Sequence, residues 1–168
     1  MKRILFIVLL CMIGVFVAVA KDTSTTSKSS DSLPRFVSLR DDTVNARSGP
    51  GTKYPIDWIY KQKSAPVEVI AEFESWRRIR DWQGSESWVK SQLLTRKRFV
   101  KVITPGENNL YAKDNYKSKI IARIEDGVVG EIKKCPADND FCQINFGNYE
   151  GWISRQNIYG VYDKEIID

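Results

Sequence analysis

Residues 75–94, SWRRIRDWQGSESWVKSQLL, return later in the chain as residues 140–159, DFCQINFGNYEGWISRQNIY. Each copy opens on an aromatic residue (Trp76, Phe141), continues to an isoleucine (Ile79, Ile144) and turns at a glycine (Gly84, Gly147). Each then closes on a tryptophan pair (Trp88-Val89, Trp152-Ile153) and a last apolar pair. Equivalent positions lie 64 or 65 residues apart, from 152 − 88 and 144 − 79. Self-similarity at that spacing predicts two copies of one unit of about 60 residues, small but within the range that folds alone.

Outward from this pair the repeat continues. Residues 44–60, VNARSGPGTKYPIDWIY, stand opposite residues 109–124, NLYAKDNYKSKIIARI; each is an extended piece, a polar turn and an apolar run. KQKSAPVEVIAEF (61–73) is echoed by EDGVVGEIKK (125–134), a turn followed by a strand. No window keeps a helical period, and short β-rich runs alternate with turn residues. Five short strands per copy predict an all-β chain of two tandem small barrels or β-rolls, over residues 35–96 and 97–162, with a tail at 163–168.

Side-chain alternation assigns faces. Cys142, Ile144 and Phe146 share one face, with Gln143 and Asn145 on the other. Val67, Val69 and Ala71 alternate with Glu68 and Glu72, and Ile70 breaks the pattern. Trp76 and Ile79 have opposite parity, so without a bulge only one points inward. Ile79 is expected in the core and Trp76 outward or in a groove. Trp88, repeated as Trp152, is expected to be core.

The first twenty residues, MKRILFIVLLCMIGVFVAVA, have a basic start, an apolar run and small residues at Ala18 and Ala20 before a polar stretch. This is the pattern of an export signal cleaved after Ala20, with an uncleaved anchor as the rival reading. Lipidation at Cys11 is disfavoured by Leu9 and Leu10. KDTSTTSKSSD (21–31) has no apolar side chain and is expected, with residues 32–34, to be a flexible tether. The expected location is the periplasm or the cell exterior, with membrane contact only through the signal segment.

Without Lys2 and Arg3 the charge is 24 basic minus 21 acidic residues, or +3, which says little about partners. Arg77, Arg78 and Arg80 form one basic cluster, and Arg96, Lys97, Arg98 and Lys101 another. They are read as solvated strand faces, with an anionic envelope polymer as the second reading. Nucleic acid is not an expected partner of an exported chain. Cys135 and Cys142 bracket PADNDF, and oxidising surroundings favour a disulfide there. No metal or other cofactor is expected, since the sequence has no histidine and one cysteine pair outside the leader.

Several of these stretches resemble the bacterial SH3-like family: VNARSGPGTKYP (44–55), PVEVIAE, SWRRIRD and ESWVKSQLL. The resemblance covers residues 36–94 closely and 99–160 more loosely, where YAKDNYKSK replaces the glycine-proline turn. It implies tandem SH3-like barrels and a non-catalytic module for peptidoglycan, a wall-derived peptide or glycan, or a protein partner in the envelope, as inhibitor or scaffold.

Within the SGPG turn, Gly49 and Gly51 are free to take positive φ and Pro50 fixes its own, so a stiff corner is expected. Asn45 is placed to bond the turn backbone, Arg47 beside it and Tyr54 along a groove wall. Candidate ligand contacts are Trp76 and Trp82, then Tyr54, with Trp58 and Arg47; the rival reading makes the indoles an interface between the copies. Exposed aromatic rows suit sugar stacking or extended peptides. Zero histidines exclude Ser-His and Cys-His catalysis within this sequence, and the acid pairs Asp41-Asp42 and Asp138-Asp140 lie in turn-like stretches. A binding protein, not an enzyme, is expected.

Overall fold

The computed structural model describes residues 32–168. The expected leader, the Cys11 alternative and residues 21–31 of the expected tether lie outside the described residues. Among those described, no helix is long and apolar enough to cross a membrane.

The first copy contains β1 (Arg35–Leu39), β2 (Val44–Arg47), β3 (Ile56–Tyr60), β4 (Pro66–Phe73), β5 (Trp76–Arg80), β6 (Glu86–Lys90) and β7 (Leu94–Thr95). The second contains β8 (Phe99–Val102), β9 (Glu107–Tyr111), β10 (Ile120–Glu125), β11 (Val129–Lys134), β12 (Phe141–Phe146), β13 (Tyr149–Ser154) and β14 (Ile158–Tyr159). Each copy therefore has seven strands where the sequence suggested five, and one 3₁₀ turn precedes its last strand. The two sheets have one topology, β3-β2-β6-β5-β4-β1-β7 and β10-β9-β13-β12-β11-β8-β14. The fold is all-β, one sheet topology built twice in tandem.

The repeat extends to irregularities. Val69 pairs with Ile79 and Ala71 with Arg78, so Ile70 is an extra residue in β4. Lys133 is its counterpart in β11, between Ile132↔Ile144 and Lys134↔Gln143. A second bulge leaves Asp57 unpaired in β3 and Ile121 in β10. The parity break at Ile70 is thus a bulge, which flips the face of the residues after it.

Each sheet encloses one apolar core. In the first copy Val37, Leu39, Val44, Val67, Val69, Ile79 and Val89 gather there, and Trp82 packs at its margin. In the second, Val100, Val102, Leu110, Ile144, Ile153 and both disulfide cysteines do the same. Gly130 admits the Phe146 ring, which stands 2.6 Å from where a Cβ would be.

Between the copies lies a seam of aromatic and polar contacts. Phe36 is buried against the rings of Tyr159 (centroids 5.0 Å) and Tyr162 (4.5 Å). Tyr159 Oη donates to the Arg80 carbonyl (2.9 Å), and Tyr162 Oη to Glu68 Oε1 (2.9 Å). Gln62 Nε2 donates to the Gly127 carbonyl (2.9 Å), while Lys101 Nζ donates to Gln62 Oε1 (2.6 Å). Gly160, at φ +118°, sits where a Cβ would meet the Phe99 carbonyl at 2.5 Å and Pro66 at 2.9 Å.

Candidate functional site: an edge strand and its bracing loop

β3 ends the first sheet, with β2 as its ladder partner. Its sequence, IDWIY, is apolar at four of five positions, so alternation cannot hide them all behind one face. Trp58 pairs with Ala46, whose side chain is in the core, whereas Ile59 pairs with Asn45 and Ile56 with Arg47. Trp58 and Ile59 therefore take opposite faces of the edge, and both are about half exposed, at 52% and 51%. Ile56 is exposed beside them.

The preceding loop is braced by Arg47. Its Nη1 donates to the Thr52 carbonyl (3.2 Å) and the Tyr54 carbonyl (2.6 Å), and Ser48 N–H donates to the Pro55 carbonyl (3.2 Å). Gly49 and Gly51 do not use their freedom to take positive φ. Their role is space: a Cβ on Gly49 would stand 2.5 Å from the Tyr54 ring, and one on Gly51 3.3 Å away.

The second copy supplies a control. Its loop keeps three equivalent backbone hydrogen bonds, Ala112 to Lys119, Asn115 to Lys113 and Ser118 to Asn115. Lys113, Asn115 and Ser118 there replace Gly49, Gly51 and Tyr54. Where no ring lies on the loop, no glycine is needed beneath it.

Trp76, expected outward or in a groove, is buried at 7% exposure, which corrects the outward reading. β5 runs in unbroken register with β6, from Trp76↔Lys90 to Arg80↔Glu86, so Trp76 and Ile79 are buried on opposite faces. Lys90 Nζ stands 5.8 Å from the Trp76 ring centroid. Its counterpart Phe141 is likewise buried, in edge-on contact with Tyr111 (5.8 Å) and Tyr116 (4.7 Å). Trp88 corrects the other way: Val89 holds the core position, and Trp88 is half-buried on the outer face, between Arg78 and Arg47 in the ladders.

Trp82 rides on a turn that Asp81 organises. The Asp81 carboxylate accepts from the N–H groups of Gln83 and Ser85 (both 2.9 Å) and from Tyr60 Oη (3.1 Å). Burial and the Asp81 charge hold the Tyr60 phenol well above its ordinary value. The Trp82 ring lies under the Lys101 ammonium, 4.0 Å from its centroid. Burial pushes the Lys101 ammonium down. Trp82 thus faces the seam, apart from Tyr54 and Trp58 on the loop and edge.

Ile56 and Ile59 escaped the sequence-based candidate set; the missing alternation of IDWIY was the signal that could have found them. Among the described residues no group of three or more His, Cys, Asp or Glu side chains is placed to hold a metal ion. Cys135 and Cys142 are joined in a disulfide, with Cα atoms 4.3 Å apart across the ends of β11 and β12.

A model described as the bacterial SH3 domain matches residues 40–95 and 104–160. A protein of Bacillus subtilis (strain 168) described as putative N-acetylmuramoyl-L-alanine amidase YrvJ is 20% identical over 168 residues, covering 94% of this chain and 31% of its own length. The chain thus spans about a third of that curated relative. Among solved structures, NlpC2 from Trichomonas vaginalis aligns at 17% identity over 75% of this chain and 48% of its own, with a TM-score of 0.34. NlpC1 from the same organism aligns at 15% identity over 88% and 50%, also at 0.34.

Proposed function

Because the chain belongs to the bacterial SH3 domain family, we propose that it is an exported, non-catalytic binding protein of the cell envelope. Its first copy recognises peptidoglycan or a wall-derived peptide or glycan. The surface is the edge strand β3 with its loop, carried by Trp58, Ile56, Ile59 and Tyr54. One observation supports this most: β3 exposes large apolar side chains on both faces of a sheet edge. Exposed edges template association, and the charged bulge at Asp57 blunts this one only at its start, leaving Trp58 and Ile59 open. An indole and flanking aliphatics on a firm backbone suit sugar faces or an extended peptide.

The amidase description belongs to the Bacillus relative; what carries across is the wall as ligand. Arg47 acts here by holding the loop, not by touching ligand.

Cosedimentation with purified sacculi tests the reading. The wild-type chain should pellet at low salt, and Trp58→Ala with Ile59→Ser should remain largely in the supernatant. Stability of that variant should change by no more than about 0.5 kcal/mol, as for exposed positions. Wild-type protein that stays in the supernatant would overturn wall binding and leave a protein partner in the envelope as the reading.

A further inference from the structure

Residues 161–167, VYDKEII, follow the last strand and lie against one end of the second core. Val161 and Ile167 pack on the apolar cluster that contains Cys135 and Cys142, and Ile167 exchanges two backbone hydrogen bonds with Cys135 (2.7 and 3.0 Å). Both cysteines are fully buried, at 0% exposure. A disulfide is cut only when a thiolate reaches one of its sulfurs, so cover governs the rate.

Two arginines hold the segment down. Arg98 donates from both terminal nitrogens to the Glu165 carboxylate (2.7 and 3.1 Å). Arg155, buried at 9% exposure, supplies the second tie. It donates to the carbonyls of Tyr162 (3.2 Å) and Glu165 (3.0 Å) in the segment, and to those of Pro136 (2.7 Å) and Asn139 (3.1 Å) in the loop that the cysteines bracket. One guanidinium therefore fastens the segment and the disulfide loop to each other.

The first copy shows that these parts go together. Ser91 takes the place of Arg155, since Ser91 N–H donates to the Ser75 carbonyl (2.8 Å) as Arg155 N–H does to the Asp140 carbonyl (2.7 Å). Glu72 and Arg77, an ion pair of 3.1 Å, stand where Cys135 and Cys142 are bridged. After β7 the chain runs straight on into β8. Bridge, guanidinium and covering segment are present together in the second copy and replaced together in the first.

We propose that residues 161–167 form a strap that gates the Cys135–Cys142 disulfide against dithiol reductants, and that reduction in turn releases the strap. With the strap lifted, one thiolate of the dithiol bonds to a bridge sulfur and expels the other cysteine as a thiolate. The second thiolate of the reductant then expels the bonded cysteine. The dithiol ends as a disulfide and the bridge as two thiols, a balanced two-electron exchange. Strap and bridge share Cys135 and Arg155, so the coupling is reciprocal: a closed strap protects the bridge, and an open bridge loosens the strap. This goes beyond the wall reading, which rests on β3 of the other copy.

The probe is dithiothreitol, applied to the full chain without denaturant and followed by the maleimide labels gained at Cys135 and Cys142. Glu165→Gln with Ile167→Ser should speed reduction by about tenfold or more. Gly49→Ala, a change in the first copy, should leave the rate as it is. Glu165→Gln alone keeps the test decisive if the double variant melts early by circular dichroism. Equal rates for wild type and the strap variants, or equal acceleration by Gly49→Ala, would overturn the gate. Hydrogen exchange reads the converse: the Ile167 amide, held by the Cys135 carbonyl, should exchange about tenfold faster or more once the bridge is reduced. An amide protected alike in both forms would overturn the release. Sacculus retention is read separately, so either idea can fail alone.

Discussion

At the scale of single residues, Gly49 separates two reasons for glycine. Its φ is not positive, and the Tyr54 ring occupies the space a methyl would need. Gly49→Ala should therefore cost about 1–3 kcal/mol by overpacking. Adding Tyr54→Ser should recover most of that loss, since Lys113 and Ser118 coexist in the same loop geometry. Denaturant unfolding of the single and double variants measures both. Trp76 and Trp58 make a second contrast. Trp76→Ala should cost about 3–5 kcal/mol, as for buried aromatics, whereas Trp58→Ala should be nearly silent in stability and felt in binding. A Trp76→Ala variant that melts like wild type would show the indole to be dispensable to packing.

Among the elements, the β11–β12 hairpin is closed by a disulfide where β4–β5 has Glu72 with Arg77. The loop closed is about eight residues long, so replacing both cysteines with serine should cost about 2.5 kcal/mol on the chain-entropy estimate. Thermal unfolding with and without reductant checks this. Denaturing, non-reducing thiol labelling should find no free cysteine at 135 or 142.

The fold was legible because the repeat carried it: Trp88 with Trp152, and Ile79 with Ile144, sit at matched ladder positions. The faces were less legible. Period-two reasoning assumes a straight ladder, and the extra residue at Ile70 breaks that assumption. It also assumes one buried face, and β5 has two, with Ile79 on one and Trp76 on the other. Of the candidate contacts, Tyr54 and Trp58 lie on the exposed loop and edge, while Trp82 turned to the seam. The strap was illegible because only the fold brings Arg155 to both the 136–139 loop and residues 162–165.

For the whole molecule, the seam makes stability depend on alkaline pH. Burial, with Glu68 next among the causes, raises the Tyr159 phenol above its ordinary 10.0, and the Tyr162 phenol likewise. A phenol whose folded pKa is raised contributes stability fully below its unfolded value, and loses it as pH rises toward the folded value. Melting temperature should therefore fall above about pH 10, and Tyr159→Phe should flatten that fall. An unchanged slope would remove Tyr159 from the cause. Gly160→Ala, which forces a methyl toward Pro66, should loosen the seam and increase proteolysis between the copies.

Through Phe36, Tyr159 and Tyr162 the halves share a packed aromatic contact, unlike beads on a string. A wall ligand proposed for β3 would then meet a first copy braced by the second rather than hung loosely from it.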